Sequence, residues 1–176
     1  WRGKARERKQ WAQLDRRRVS FQGCFDGLDK AATANLLRDL PGLERHRLRC
    51  ILTGALPLQT RLFKAGLTTT ANCQCCGQGV PETEEHVFLH CPAHDHIRGQ
   101  EIQPTWFSAL PHCLALHGLL PSAWLQIPGF DNDKDRRRDL AARVQYTLLD
   151  IWRHRLVLCP LPEQPLPRWL PATALP

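Results

Sequence analysis

The sequence predicts a mainly α-helical fold, in which short helices surround a compact cysteine-rich knuckle and are followed by one long C-terminal helix and a proline-rich tail. Apolar residues recur at helical spacing along much of the chain. Four of the eight cysteines crowd into a short stretch beside four histidines. Six prolines fall within residues 160–176, where they favour an extended, polyproline-like tail or linker.

The first predicted unit, residues 1–40, is a basic helical lead-in. Residues 1–18 carry eight basic side chains among strong helix formers, and a second helix is expected from Asp29 to Leu40. The chain has 24 basic and 17 acidic residues, a formal charge of +7, and residues 1–50 alone hold 13 basic and six acidic ones. This one-sided surplus favours nucleic acid as a partner, with a solvated basic helix as the alternative.

The second predicted unit, residues 41–99, combines a helix pair with the knuckle. The first helix runs from Leu43 to Gly54 with a basic outer face, and the second follows Pro57 and is capped by Gly66. Inward apolar positions are expected at Leu43, Leu48, Ile51 and Leu52 in the first helix and at Leu58, Leu62 and Phe63 in the second. The candidate nucleic-acid contacts are the basic residues of the pair, Arg45, Arg47, Arg49, Arg61 and Lys64, with Arg16, Arg17 and Arg18 beside them.

Three further units complete the predicted organisation. Residues 100–130 form a connecting segment of prolines and aromatics, in which short helical pieces pack through Trp106, Phe107, Trp124 and Phe130. Residues 131–159 form the long amphipathic helix, with acidic residues at the amino end where the helix dipole favours them. Residues 160–176 form the proline-rich tail or linker.

The cysteine-rich segment has the spacing Cys73-x2-Cys76-x9-His86-x4-Cys91. Two cysteines two residues apart reach one ion from a tight turn, and residues 81–84 predict a helix start that places His86 in the first turns and Cys91 just past the end. Three thiolates and one imidazole suit tetrahedral zinc, and four protein ligands leave no position for a substrate water. We therefore expect one structural Zn²⁺, on which folding of the knuckle depends.

Other readings of the same thiols stay open on the sequence alone. Cys75 can replace one member of the first pair. Cys73 and Cys76 with His90 and His94 nearly form a two-Cys two-His finger, although such fingers prefer about 12 residues between the pairs. The thiols can also bind no metal and pack as small hydrophobes. A disulfide framework fits the clustering poorly, and no Asn-x-Ser/Thr acceptor supports secretion, so a reducing, intracellular compartment is expected.

The stretches LRCILTGALPLQTRLFKAGL, CQCCG and ETEEHVFLHCP resemble the zinc-binding segment that follows the reverse transcriptase in non-LTR retrotransposon polyproteins. The shared features are a basic helix, a second helix ending near Gly-Leu, a Cys-x2-Cys-Gly turn, an acidic helix start before His and a Cys-Pro close. The resemblance covers about residues 43–98 and carries the ligand role onto Cys73, Cys76, His86 and Cys91. It implies a CCHC-type accessory region that binds RNA or DNA, with the upstream reverse transcriptase domain as partner and a nuclear location.

We expect no catalytic activity from this chain, although the parent polyprotein would be an RNA-directed DNA polymerase. The sequence lacks a phosphate loop ending in Gly-Lys-Ser/Thr, the His-Glu-x-x-His motif and the Gly-x-Ser-x-Gly motif. It also lacks the aspartate pair of a polymerase. The alternative from another functional class is a zinc-stapled protein-interaction or scaffolding module with no nucleic-acid role.

Two smaller clusters and the chain ends complete the expectations. Asp131, Asp133 and Asp135 mimic the start of a calcium loop, but the Gly and Glu that such a loop needs are missing, so a helix start is preferred. His112, Cys113 and His117 are expected to form a packed turn rather than a second metal site. No apolar run reaches the length of a membrane span, and a chain without Met that begins at Trp1 is expected to be a fragment.

Overall fold

A computed structural model describes residues 2–101, 109–122 and 133–161, and these residues are mainly α-helical, as the sequence predicts. The helices are α1 (Arg2–Arg17), α2 (Lys30–Asp39), α3 (Gly42–Leu52), α4 (Gln59–Lys64), α5 (Asp95–Glu101), α6 (His112–His117) and α7 (Lys134–Leu158). A π-helical turn spans His86–His90, and 3-10 turns span Val19–Phe21 and Pro92–His94. These residues contain no strand, only the isolated bridges Leu28–Pro121 and Asn72–Pro81. The aromatic residues predicted to pack the connecting segment (Trp106, Phe107, Trp124 and Phe130), together with Asp131 and residues 162–176, lie outside the described part of the chain.

Helix α7 is the long C-terminal helix, and it forms the centre of the fold. Its amino end is capped by Asp133, whose carboxylate accepts a hydrogen bond from the backbone N–H of Asp135 at 2.9 Å, so this acid starts a helix. Helices α2, α3, α5 and α6 all pack against α7. For this reason the polar residues Gln145, Thr147 and Arg155 are buried along with the apolar ones. The helix is therefore enclosed on more sides than an amphipathic surface helix.

The amino-terminal helices dock on this centre through few side chains. Trp11 and Leu14 are the partly buried residues that pack α1 against the core. Helix α2 is capped by Asp29, whose carboxylate accepts a hydrogen bond from the N–H of Ala32 at 3.0 Å, and it buries Leu36 in the hydrophobic core. The predicted boundaries of the second helix thus agree with the structure to within one residue.

Helices α3 and α4 bury the predicted stripe with two exceptions. Leu48, Ile51, Leu52, Leu58 and Leu62 are buried, but Leu43 is 62% exposed and Phe63 is 48% exposed. Leu43 lies in the first turn of α3, and Phe63 follows Leu62, so it points about 100° further round the helix. The prediction that both residues face inward was wrong. In α4 the buried positions are Gln59 and Leu62, three residues apart, and Phe63 lies beside this face.

Helix α6 brings a packed histidine, His117, into the core. The ring of His117 stacks on Phe21 at 4.2 Å between centroids, and its Nδ1 donates a hydrogen bond to the carbonyl oxygen of Ile51 at 2.9 Å. Burial lowers the pKa of His117 to about 4. Gly54 adopts a φ of +61°, and a Cβ there would lie 3.0 Å from the His117 ring, so glycine is needed for this close approach.

None of the described helices combines the length and the apolar character that a bilayer crossing requires. The predicted division into five units from 1–40 to 160–176 stays a prediction. In the described residues, one hydrophobic cluster includes side chains from α2, α3, α6 and α7.

Candidate metal centre and basic surface

The first half of the knuckle is a narrow loop closed by backbone hydrogen bonds. The N–H of Cys73 donates to the carbonyl of Val80 at 2.8 Å, and the N–H of Glu82 donates to that of Ala71 at 2.9 Å. Between these bonds the chain reverses through Gly77, whose φ is +65°. The loop therefore holds the Cys73 to Cys76 turn in a fixed position above the helix that follows.

The second half of the knuckle is the π-helical turn. The hydroxyl of Thr83 accepts a hydrogen bond from the N–H of His86 at 3.1 Å, which caps the turn, and the N–H of Cys91 donates to the carbonyl of His86 at 2.6 Å. This bond joins residues five apart, which is the π-helical spacing. It places His86 and Cys91 one turn apart on the same side. The sequence predicts a helix here, but a π-helical turn has no signal in the residue pattern.

The loop and the turn bring Cys73, Cys76, His86 and Cys91 together, with their four ligand atoms within 4.8 Å of one another. The sulfurs of Cys73 and Cys91 are 3.9 Å apart, and the sulfur of Cys76 is 3.5 Å from Nε2 of His86. With Zn–S bonds of about 2.3 Å and Zn–N bonds of about 2.0–2.1 Å, a regular tetrahedron has edges of about 3.8 Å between sulfurs and about 3.6 Å between sulfur and nitrogen. The donor set and its spacing therefore fit one tetrahedral zinc ion.

The four side chains of the cluster differ in burial and in the pKa of their thiols. Cys73 and Cys91 are buried, whereas Cys76 and His86 are half-buried. The hydrogen bond from the Cys75 thiol is the main cause that lowers the pKa of Cys73 to about 4, while loss of solvent raises the pKa of Cys91 to about 12. Metal binding would therefore release the proton of Cys91, because zinc is held by thiolates.

The structure does not bring the alternative ligands His90 and His94 into the cluster. His90 is exposed and lies 3.6 Å from the carboxylate of Glu85. His94 is fully buried, but its Nδ1 faces Nδ1 of His154 at 3.1 Å. Cys75 and Glu82 form a second group with Cys73, yet both oxygens of Glu82 already accept hydrogen bonds. The two-Cys two-His register thus has no geometric support.

Sequence reasoning missed a buried ion pair that joins the knuckle to α7. The carboxylate of Glu82 accepts two hydrogen bonds from Arg155, both 3.0 Å, and one from the N–H of Gln59 at 2.5 Å. Both charged side chains have 0% exposure. Glu82 belongs to the acidic run read as a helix start, and nothing in that run points to an arginine 73 residues away. The ion pair fixes the helical turn of the knuckle against the central helix.

A second missed residue, Arg98, contacts the candidate ligand Cys91. Its guanidinium donates to the carbonyl of Cys91 at 2.5 Å and to that of Phe88 at 3.4 Å, and it pairs with Asp95. Arg98 is 7% exposed. Its hydrogen bonds satisfy carbonyls that the end of the π-helical turn leaves without intrahelical partners. The side chain thereby holds Cys91 in position.

The five predicted nucleic-acid contacts divide into two groups. Arg45 donates to the carbonyl of Leu40 at 2.9 Å, Arg47 pairs with Glu44 at 2.6 Å, and Arg61 pairs with Glu84 and donates to the carbonyl of Leu56. Arg49 and Lys64 are exposed. The structure therefore uses three of these cations inside the fold and leaves two facing solvent.

Helix α1 adds to the exposed positive charge. Both of its acidic residues have partners, because Glu7 pairs with Lys30 at 2.8 Å and Asp15 accepts a hydrogen bond from the N–H of Gly23 at 2.7 Å. The exposed basic residues of α1 with described side chains are Arg6, Arg8, Lys9, Arg16 and Arg17. Arg18 is half-buried, with its guanidinium 5.9 Å from the Phe21 ring centroid. The surplus of α1 therefore faces solvent.

Comparison with known proteins identifies one segment of the chain. No curated protein and no solved structure matches the chain significantly. A protein-family model described as zinc-binding in reverse transcriptase matches residues 42–97, which is less than half of the chain and includes both halves of the knuckle. The resemblance found in the sequence is thereby confirmed for these residues. The segment 42–97 is therefore similar to the zinc-binding regions associated with reverse transcriptases.

Proposed function

We propose that Cys73, Cys76, His86 and Cys91 bind one Zn²⁺ and that this ion has a structural, non-catalytic role. The observation that carries the proposal is the tetrahedral spacing of three sulfurs and one imidazole nitrogen. Four protein ligands close the coordination sphere of zinc and leave no site for an activated water. The ion would join the loop to the π-helical turn, as a cross-link does.

Native mass spectrometry of the purified chain tests this assignment. One zinc ion is expected per chain, and Cys76→Ser should lose it, whereas Cys50→Ser should retain it because Cys50 lies on α3 beside His46, outside the cluster. Retention of the ion by Cys76→Ser would contradict the ligand set. A chain that is purified without metal, and stays equally ordered after chelation, would contradict the structural role.

We further propose that the zinc-stabilised region binds RNA or DNA beside the reverse transcriptase domain of a retroelement polyprotein, which places its work in the nucleus. The supporting observations are the exposed cations Arg49 on α3 and Lys64 on α4, together with the exposed basic residues of α1. Such side chains neutralise phosphates and release counterions. Arg45, Arg47 and Arg61 would act indirectly, by holding the helix pair in shape.

The salt dependence of binding to single-stranded RNA, single-stranded DNA and duplex DNA tests this proposal. The double variant Arg49→Ala/Lys64→Ala should reduce the slope of log K against log salt by about 1.4 on single strands, since each neutralised phosphate contributes about 0.7. Arg143→Ala is the matched control, because it removes an exposed cation of α7 that is paired with Asp139. It should leave the slope unchanged.

The outcomes of this assay separate the two functional classes. Equal slopes of log K against log salt for the double variant and the control would contradict the proposed contacts of Arg49 and Lys64. An absence of salt-dependent binding to all three nucleic acids would favour the protein-interaction or scaffolding module. A zinc-loaded chain in either case would leave the metal assignment standing.

A further inference from the structure

Two cysteines outside the candidate ligand set face each other across the fold. The sulfur of Cys75 lies 3.1 Å from the sulfur of Cys159, although the residues are 84 positions apart. This distance is shorter than the 3.9 Å between Cys73 and Cys91. A disulfide needs about 2.05 Å between sulfurs, so an approach of about 1 Å separates the pair from a covalent bond.

The backbone on both sides of this contact is held in place. Cys75 lies in the knuckle loop, between the two cysteines of the metal turn. Cys159 ends α7, where its N–H donates to the carbonyl of Arg155 at 2.9 Å and its own carbonyl accepts from the guanidinium of Arg155 at 2.6 Å. Arg155 is fixed in turn by Glu82 of the knuckle. The two thiols are therefore brought together by the same contacts that join the knuckle to α7.

Access and competition also favour this pair among the thiols of the chain. Cys75 is half-buried, so a small oxidant can reach it, whereas Cys159 is 7% exposed and can be reached through its neighbour. Cys24 and Cys113 are fully buried in the core. The partner of Cys50 is a histidine at 3.6 Å.

We propose that Cys75 and Cys159 are an oxidation site that forms a disulfide when the chain meets a hydroperoxide. The inference rests on the assignment of the neighbouring cysteines to zinc, which leaves Cys75 free to react. The Cys75 thiol first loses its proton, and the resulting thiolate attacks the O–O bond of hydrogen peroxide. The departing hydroxide takes up a proton, so the products are a sulfenic acid and one water. The sulfur of Cys159 then attacks the sulfenic sulfur, so that the S–S bond forms, the S–O bond breaks and a second water leaves. Two electrons pass to the peroxide, and both thiol protons end in water.

The bond would close a large loop of the chain and join the metal turn covalently to the end of the central helix. Cross-links of this kind restrict the unfolded chain. Oxidised protein should therefore unfold at a higher temperature than reduced protein. Mild reductant should reverse the shift.

The test is peptide mapping of the full, zinc-loaded chain after treatment with about one equivalent of hydrogen peroxide, a dose suited to the first oxidation step. The expected product has lost two hydrogens, keeps its metal in native mass spectrometry, and yields one cross-linked peptide pair that contains Cys75 and Cys159. Cys159→Ser and Cys75→Ser should each abolish this pair, and Cys50→Ser should keep it. If a variant does not fold, peptide mapping of the peroxide-treated chain without substitutions is enough to test for the Cys75–Cys159 cross-link.

The results that would overturn the proposal differ from those that overturn the zinc site. Cross-links confined to Cys73, Cys76 and Cys91, or no cross-link at all, would refute the thiol pair even if zinc is bound. A chain that carries no zinc before oxidation would refute the metal assignment. In that chain, a cross-link between Cys75 and Cys159 would still support the pair, and its absence would still refute it.

Discussion

Replacement of Arg155 by methionine should destabilise the protein more than any other single change to a charged residue of α7. The change leaves the carboxylate of Glu82 buried at 0% exposure with only the N–H of Gln59 as a hydrogen-bond donor. Breaking a buried ion pair in this way costs about 3–5 kcal/mol, because the remaining charge is neither solvated nor paired. That is a large part of the about 5–15 kcal/mol that holds a domain folded.

Two further variants test whether the loss in Arg155→Met comes from the unpaired buried charge. Arg153→Met is the matched control on the same helix, since Arg153 pairs with Glu44 and Asp150 but its side chain is 40% exposed, and it should cost at most about 1 kcal/mol. In the double variant Glu82→Met/Arg155→Met no charge is left buried. Its loss should be smaller than the sum of the two single losses by about 2–3 kcal/mol, as expected for directly interacting residues.

Urea unfolding of the zinc-loaded chain, followed by far-UV circular dichroism, measures these free energies of unfolding. The zinc content of each variant should be recorded beside them, because Glu82 begins the segment that carries His86. The reasoning is refuted if Arg155→Met costs no more than Arg153→Met, or if the two single losses simply add in the double variant.

Three other predictions follow from the described contacts. The pKa of His117 is about 4 in the fold against an ordinary 6.5, so the unfolded chain takes up the proton first as the pH falls. The free energy of unfolding should therefore decrease between about pH 6.5 and pH 4, by up to about 3 kcal/mol. His117→Gln should flatten this part of the pH profile, and an unchanged pH dependence in the variant would contradict the burial argument. Gly118→Ala should cost about 2 kcal/mol in urea unfolding, because φ is +66° and the new Cβ would lie 2.7 Å from Cγ of Gln145, whereas Gly42→Ala has open space and should be nearly neutral; equal losses would be the contrary result. Exhaustive chelation should lower the melting temperature of the unmodified chain and leave that of Cys76→Ser unchanged, since the variant has no bound ion to lose, and a similar drop in both would point to another site.

Local features of this protein are readable from its sequence because they depend on neighbouring residues. The cap at Asp29, the start of α7 at Asp133 and the spacing of the knuckle cysteines all involve residues within a few turns of each other. The pairing of Glu82 with Arg155 and the contact of Cys75 with Cys159 span 73 and 84 residues. The residues around Glu82 and Cys75 do not indicate which distant residue each will contact, since such contacts depend on how the helices pack.

The same limit applies to the basic helix pair. Arg45, Arg47 and Arg61 have the composition of a solvated basic surface, yet each finds a carbonyl or carboxylate within the fold. Arginine reaches such acceptors through a long side chain with several donors, so its presence at an outer helical position does not determine what it binds. Only Arg49 and Lys64 of the five keep the exposure that the sequence suggested.

The ion pair between Glu82 and Arg155 has a practical consequence for the expression of the matching segment by itself. The segment that matches the family ends at residue 97, whereas the arginine that neutralises its buried carboxylate lies on α7. A recombinant protein limited to the matching residues would lack Arg155 and would leave the buried carboxylate of Glu82 without its ion-pair partner. The smallest autonomous piece should therefore extend through residue 159.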